Sequence, residues 1–156
     1  MKIALGSDHR GADLLRAIDQ HLRAQGHETI TSGICATDSC DYPDQAWSVG
    51  QAIQQGRAEV GIVACGSGIG IMMAANKMKG IRAALVGDVE SAALTRRHND
   101  ANVLCLSGDR VDAPLGKRIA DAFISTAFEG GRHARRVAKL AMIESDRAPD
   151  AGAAPG

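Results

Sequence analysis

Short apolar segments rich in β-branched residues alternate with longer amphipathic segments along this chain, and this alternation constrains the fold more than any other feature of the sequence. The predicted strands are Lys2–Ser7, Glu28–Thr31, Val60–Cys65, Arg82–Val86 and Val103–Ser107. The predicted helices are Gly11–Gln25, Gln45–Gln55, Ile69–Asn76, Glu90–His98, Pro114–Thr126 and Arg132–Ser145. Because strands that alternate with helices join through right-handed crossovers, the sequence predicts an α/β fold. We expect a single-domain, doubly wound (Rossmann-like), five-stranded parallel sheet.

Length and composition agree with one compact domain over residues 1–146. A chain of 156 residues that is 45% hydrophobic can bury a sizeable core without a disulfide or a metal ion. Aromatic residues make up only 3%, so the core must consist mainly of aliphatic side chains, which lets helices pack closely on a sheet. Residues 147–156 are mostly Ala, Pro and Gly, and we predict a disordered C-terminal tail there.

The charge balance excludes one class of partner. Lysine and arginine together number 18, the same as aspartate and glutamate, so the chain lacks the broad basic field that non-specific nucleic-acid binding needs. No apolar run is long enough for a secretory signal or a membrane span. We therefore expect a cytoplasmic protein that binds neither nucleic acid nor membrane.

The chain has four cysteines, and in a cytoplasmic protein we expect them to be free thiols. They are Cys35, Cys40, Cys65 and Cys105. The first two could supply half of a zinc site, but no second ligand pair follows at the spacing of a zinc finger. A polar loop is the simpler interpretation, and no metal site is predicted.

The most specific local motif is Cys65-Gly66-Ser67-Gly68-Ile69-Gly70, which runs from a predicted strand into a predicted helix. Free backbone N–H groups at such a junction favour negative charge. Ile71 occupies a position where the dinucleotide fingerprint needs glycine, and no Gly-Lys-Ser/Thr follows as in a P-loop. Spacing alone leaves open a tight structural turn, an anion site or a catalytic loop. A thiol facing helix N–H groups tends to have a lowered pKa, so Cys65 is either a candidate base or a buried, inert cysteine.

Other polar residues also lie near predicted strand ends. Asp8 and Arg110 follow strands, so they can converge with Cys65 at the carboxyl edge of the sheet. His98 closes a helix just before the fifth strand, where we expect it at the functional edge, either as an acid or base or as a helix cap. Arg132 and Arg136 share one helix face, which either grips a phosphate or is simply a solvated basic face.

Six short motifs occur in order between Lys2 and Glu144. They are Gly6-Ser7-Asp8-His9, Asp41-Tyr42-Pro43, Cys65-Gly66-Ser67-Gly68-Ile69-Gly70, Ala74-Ala75-Asn76-Lys77, Arg97-His98-Asn99-Asp100-Ala101-Asn102 and Glu129-Gly130-Gly131-Arg132-His133. Together they resemble the type B ribose-5-phosphate isomerases, a family that includes galactose-6-phosphate isomerase subunits. The resemblance implies interconversion of an aldose and a ketose phosphate through a cis-enediol, without a cofactor or metal.

The resemblance also implies residue roles. Cys65 would be the base, His98 would assist opening of the furanose ring, and Ser67 would help to move protons between the two oxygens. The other implied contacts are Asp8, His9, Tyr42 and Asn99 with the sugar, the amides of Gly66, Gly68, Ile69 and Gly70 with the enediolate, and Arg110, Arg132 and Arg136 with the phosphate. The last two arginines would lie on a C-terminal helix that crosses to a partner subunit. The resemblance thus implies a homodimer with shared active sites, which could pair further into a tetramer.

Two departures from the family pattern leave the substrate open. Arg10 follows Asp8-His9 where a small or apolar residue is usual, and the loop Gly33–Cys40 does not match the family. Ribose 5-phosphate is the leading substrate, and a six-carbon phosphate such as allose 6-phosphate or galactose 6-phosphate is the alternative. A non-catalytic phosphate- or nucleotide-binding module and a thiol redox sensor are rivals from other classes, but the binding module leaves Cys65 and His98 unexplained.

Overall fold

A computed structural model describes residues 1–35 and 39–150 of the chain. Its strands are β1 (Lys2–Ser7), β2 (Glu28–Ile34), β3 (Val60–Cys65), β4 (Ala83–Leu85) and β5 (Val103–Ser107). Its helices are α1 (Ala12–Ala24), α2 (Tyr42–Gln54), α3 (Ile69–Ala75), α4 (Val89–Asn99), α5 (Ala113–Ser125) and α6 (Arg132–Glu144). Residues 147–150 of the predicted tail belong to no helix or strand, and residues 151–156 lie outside the described part.

The five strands form one parallel sheet, as predicted, and their order in it is β2-β1-β3-β5-β4. Ser7 pairs with Ala64, and Cys65 pairs with Ser107, so β1, β3 and β5 end together at the carboxyl edge. The strand order reverses direction at β1 and β3, where the chain moves first to one side and then to the other. Ligands of such sheets bind beside a reversal of this kind, at the carboxyl ends of the strands.

Two apolar cores cover the two faces of the sheet. Helices α1, α4 and α5 pack on one face around residues such as Leu15 and Phe123. Helices α2 and α3 pack on the other face around Val49 and Ile71. Strand β3 is buried over its whole length, because its successive side chains enter the two cores in turn. The central strand that carries the glycine loop is therefore held rigidly from both sides.

Helix α2 begins three residues earlier than predicted, at Tyr42 rather than Gln45. Pro43 lies in its first turn, where the missing proline N–H would have no partner within the helix in any case. The segment Asp41–Asp44 looks like a turn in sequence because its residues suit either a turn or a helix start. The earlier start places Tyr42 on a regular element instead of a loop.

The prediction of four free thiols is wrong for Cys35 and Cys40, which form a disulfide. The two residues lie just after β2 and just before α2, with Cα atoms 6.4 Å apart, which is within bridging range. Cys65 and Cys105 are free and buried. Burial raises the pKa of the Cys105 thiol, and the neighbouring Cys65 raises it further.

Helix α6 lies along the amino edge of the sheet and packs loosely against its own chain. A carboxylate oxygen of Glu144 near its end accepts a hydrogen bond from the Gly80 amide at 2.7 Å. Leu140 and Ile143 are 47% and 56% exposed, and a groove of about 830 Å³ separates this part of α6 from the start of β4. Across residues 1–35 and 39–150, no helix combines the length and apolar character needed to span a bilayer.

Candidate active site

The Cys65 thiol ends β3 and lies at the start of the glycine loop. It is 4% exposed, and its Sγ accepts a hydrogen bond from the Gly68 amide at 3.2 Å. Ser67, the next hydroxyl, is exposed, and its Oγ accepts from the Ile69 amide at 3.2 Å. The Gly68 amide therefore holds the thiol at the mouth of the loop, within reach of a substrate bound there, as a general base needs to be.

The loop needs its glycines because it is packed closely on both sides. Gly68 has a φ of +77°, and a Cβ there would come within 2.5 Å of Leu85 Cδ1 and 2.9 Å of the Leu106 carbonyl oxygen. A Cβ on Gly70 would come within 2.7 Å of the Tyr42 ring. The structure thus brings Tyr42 against the loop, and the close packing keeps the loop amides in one arrangement.

Two further loops meet the glycine loop at the carboxyl edge. The Asp8 amide donates to the Ala64 carbonyl oxygen at 3.2 Å, which places Asp8 and the exposed His9 beside Cys65. Asp8 Oδ1 accepts from the amides of Arg10 and Gly11 at 2.9 and 3.0 Å, so one oxygen of this predicted sugar ligand also shapes its own loop.

The loop after β5 completes this edge. The Gly108 amide donates to the Cys65 carbonyl oxygen at 2.9 Å, and the Asp109 amide donates to the Gly66 carbonyl oxygen at 3.1 Å. These bonds hold the chain just before Arg110, whose amide donates to Ser107. The predicted convergence of the Asp8, Cys65 and Arg110 segments is therefore confirmed.

His98 and Asn99 lie at the opposite, amino edge of the sheet, so the prediction that His98 lies at the functional edge of its own chain is wrong. Asp100, which follows them, accepts from the Arg82 side chain at 2.7 Å, just before β4 begins. A helix that follows a parallel strand returns to the edge where the strand began, and α4 does so. At about 3.3 Å per residue, the five residues of β5 separate the two edges by about 16 Å.

A second polar cluster surrounds His98. Its ring stacks on that of His133, with centroids 4.2 Å apart and planes 8° from parallel. Oε2 of Glu129 lies 3.9 Å from Nε2 of His98 and 3.7 Å from Nε2 of His133. The predicted phosphate ligands join this cluster, since Arg132 Nε donates to His133 Nε2 at 3.5 Å and Arg136 lines a cavity of about 340 Å³ with both histidines and Asn99.

The electrostatics of this cluster favour an anion. Burial lowers the pKa of His133, and His98, Arg132 and Arg136 lower it further, while Glu129 opposes them. His98, Glu129 and His133 have the donor types of a zinc site and lie within 4.8 Å of one another. However, imidazole lone pairs lie in the ring planes, and these parallel rings cannot both point at one ion between them. The adjacent arginines would also repel a cation.

Sequence reasoning did not single out Glu129 as a neighbour of His98, nor assign His133 a role. Their spacing could have indicated this, because Glu129 and His133 are four residues apart, on either side of the turn Gly130-Gly131, and side chains at this spacing can lie close together. It also missed the ion pair between Arg10 and Asp109, which joins residues 99 positions apart.

Comparison with known proteins identifies the family. The chain matches the sequence model of the Ribose/Galactose Isomerase family over residues 3–140. It belongs to this family. Among Ribose/Galactose Isomerase relatives, it is 43% identical over 146 residues to ribose-5-phosphate isomerase B of Escherichia coli, covering 94% of this chain and 98% of that one. A probable ribose-5-phosphate isomerase B of Mycoplasma pneumoniae is 44% identical over 146 residues, covering 93% and 96% of the two chains.

Solved structures of Ribose/Galactose Isomerase relatives agree with the fold. Ribose-5-phosphate isomerase B of Clostridium thermocellum matches with a TM-score of 0.88 and 44% identity, covering 94% of this chain and 99% of that one. The Mycoplasma genitalium enzyme, solved with bound ribulose-5-phosphate, matches with a TM-score of 0.87 and 39% identity, covering 93% and 97%. The predicted fold and family are thus confirmed.

Proposed function

We propose that this chain interconverts ribose 5-phosphate and ribulose 5-phosphate through a cis-enediolate, with Cys65 as the base. The observation that carries the proposal is the Cys65 sulfur, which sits on the Gly68 amide at the mouth of a glycine loop. The relative from E. coli and the M. genitalium structure with bound ribulose-5-phosphate support this choice of substrate.

The chemistry fits the groups at the carboxyl edge. Removing the proton next to a carbonyl leaves negative charge on oxygen, and fixed N–H donors aimed at that oxygen are typically the largest catalytic contribution. The Gly68 and Ile69 amides donate to Cys65 Sγ and Ser67 Oγ, so in this proposal the Gly66 and Gly70 amides of the same loop are the donors to that oxygen. The exposed Ser67 hydroxyl can pass a proton between the two oxygens. Tyr42, Asp8 and His9 lie on the sides of the same loop, where they can contact the sugar hydroxyls.

We further propose that two chains share each site. His98, assigned to ring opening, lies at the amino edge of the sheet, and the length of β5, about 16 Å, separates this edge from the carboxyl edge that carries Cys65 of its own chain. In a two-fold dimer, the amino edge of each chain can lie against the carboxyl edge of the partner, which brings His98 of one chain to Cys65 of the other. The partner subunit's His98 and the partner's Asn99 would then face Cys65, and the partner's Arg132 and the partner's Arg136 would join Arg110 around the phosphate.

Exposed apolar side chains support this pairing. Ile69 and Met73 of α3 are 53% and 57% exposed beside the glycine loop, while Leu140 and Ile143 of α6 are similarly exposed at the other edge. Exposed apolar patches of this kind mark interaction surfaces. In the proposed dimer, α6 of each chain crosses to the partner and covers its α3. A cytoplasmic location is also part of the proposal, which leaves open whether two such dimers pair into a tetramer.

The test is ketose formation by purified protein from ribose 5-phosphate, with allose 6-phosphate and galactose 6-phosphate as alternative substrates. We expect the highest kcat/KM with ribose 5-phosphate. Cys65→Ala should lower kcat by about 10²- to 10⁴-fold, the usual contribution of a general base. Cys105→Ala is the matched control, since Cys105 is the other buried free thiol, and it should retain turnover.

Other outcomes would identify a rival function. If a six-carbon sugar phosphate had the highest kcat/KM, the chain would still be an aldose–ketose isomerase, but ribose 5-phosphate would not be its preferred substrate. Turnover that survives Cys65→Ala would reject the base, and sugar-phosphate binding without turnover in the unmodified protein would favour a binding module. A binding function that changes with reductant would favour the redox sensor.

A further inference from the structure

Arg10 makes a two-point ion pair with Asp109 directly above the glycine loop. Its Nε donates to Asp109 Oδ1 at 3.2 Å, and its Nη2 donates to Oδ2 at 2.7 Å. The guanidinium packs against Gly66, since a Cβ there would come within 2.8 Å of Arg10 Nε and 3.2 Å of Cζ. Arg10 therefore covers the residue that follows Cys65.

The segments that carry Arg10, Gly66 and Asp109 also contact one another through their backbones, beneath the ion pair. The Gly66 carbonyl oxygen accepts from the Asp109 amide at 3.1 Å and from the Ser107 hydroxyl at 2.7 Å. A Cβ on Gly108 would come within 2.3 Å of the Arg10 carbonyl oxygen, so these two backbones are in direct contact. Gly66 is thus enclosed by Asp109 backbone on one side and by the Arg10 side chain on the other.

We propose that the Arg10–Asp109 ion pair is a positioning clamp that holds the Gly66 end of the anion-binding loop in register with Cys65. This inference rests on the proposed function, because the clamped loop is the one assigned to the enediolate. Arg10 and Asp109 are positioning residues here: they act through Gly66 and touch no reacting atom.

The alternative role for Arg10 is a fourth phosphate ligand. The geometry favours the clamp, because two hydrogen bonds join the Arg10 guanidinium to Asp109, and the Asp109 amide is itself bonded to the glycine loop. The two roles make different predictions. If the pair is a clamp, replacing Arg10 or replacing Asp109 should have the same effect on kcat. If Arg10 is a phosphate ligand, only the replacement of Arg10 should weaken phosphate binding.

The main test is a double-mutant cycle with Arg10→Met, Asp109→Asn and both together, measured as kcat and KM for ribose 5-phosphate. The pair is partly exposed, at 59% and 40%, so its coupling should not exceed that of a surface ion pair. We expect each single variant to lower kcat by up to about fivefold, with KM nearly unchanged, and the double variant to lose no more than either single one. Arg16→Met, which removes the exposed pair with Asp13, should leave kcat unchanged.

A second readout does not depend on isomerase activity. Protection of the Asp109 amide from hydrogen exchange should fall in both single variants, because this amide donates to the Gly66 carbonyl oxygen and that end of the loop loosens without the ion pair. The pair reversed in orientation, Arg10→Asp with Asp109→Arg, should recover part of the kcat and of this protection. If the unmodified protein turned over none of the sugars, the proposed function would fail and hydrogen exchange would still test the clamp.

Three results would overturn the clamp. The first is a KM or a phosphate inhibition constant that rises in Arg10→Met alone, as for a phosphate ligand. The second is effects of the two single variants that multiply in the double variant. The third is protection of the amide at position 109 from hydrogen exchange that is the same in all variants.

Discussion

Replacing Gly68 with alanine tests how the glycine loop is built. Gly68 has a φ of +77°, and the left-handed conformation costs a non-glycine residue about 1–2 kcal/mol. The added Cβ would also meet Leu85 and the backbone of Leu106 at 2.5 and 2.9 Å. Overpacking of this kind typically costs a further 1–3 kcal/mol or so, which gives a total of roughly 2–5 kcal/mol for Gly68→Ala.

Gly80→Ala is the matched control. Gly80 has a φ of +75°, but nothing lies within 4 Å of a Cβ built there, so only the backbone cost of about 1–2 kcal/mol applies. Urea unfolding of both variants at one protein concentration separates the two contributions, because their difference is the steric cost alone.

The two variants should also differ in turnover. Gly68→Ala displaces the amide that donates to Cys65 Sγ and, with it, the neighbouring loop amides assigned to the enediolate. Loss of one donor to such an oxyanion typically lowers kcat by about 10²- to 10³-fold, whereas Gly80→Ala should keep normal turnover. Equal unfolding free energies for the two variants, or wild-type kcat in Gly68→Ala, would refute this account of the loop.

Three further predictions follow from individual contacts. Gly70→Ala should push the half-exposed Tyr42 ring aside, raising KM with little change in the unfolding free energy; a large loss of stability with normal KM would contradict this. Burial lowers the pKa of His133 in the native protein below its value of about 6.5 in the unfolded chain. As the pH falls through about 6.5, the unfolded chain therefore binds a proton at this histidine before the native protein does. The free energy of unfolding decreases as a result. Thermal unfolding at about pH 7.5 and pH 5.5 should show a smaller loss of Tm for His133→Asn than for the unmodified protein, and an equal loss would contradict the assignment. Peptide mapping of unreduced protein alkylated in denaturant should find one Cys35–Cys40 disulfide and two alkylated cysteines, whereas four alkylated cysteines would contradict the bridge.

The fold could be predicted in detail because its signals are local. Strand β3 is an apolar run rich in β-branched residues and followed by glycine, and its predicted limits, Val60–Cys65, agree with the structure. The position of the glycine loop could be predicted equally well, since a strand, a Gly-rich turn and an apolar helix occur in immediate succession. Here local sequence preference and the global fold point the same way.

The placement of His98 could not be predicted from its neighbours in sequence. Proximity to the fifth strand suggests the functional edge, but that strand begins at the amino edge, and only the full path of α4 shows this. The Cys35–Cys40 bridge was missed because compartment, and not geometry, decided the expectation. The Arg10–Asp109 pair depends on a long-range meeting of two loops, for which a single sequence carries no signal.

The measurement that tests the central claim most directly is complementation between two inactive variants, Cys65→Ala and His98→Asn. In a shared site, Cys65 of one chain works with His98 of the partner subunit, so a mixed dimer contains one intact site. After subunit exchange at equal amounts, half of the dimers are mixed and each has one working site of two, so turnover should recover to about a quarter of the wild-type value. Two inactive variants that stay inactive after proven exchange would contradict the shared site and the roles proposed for both residues.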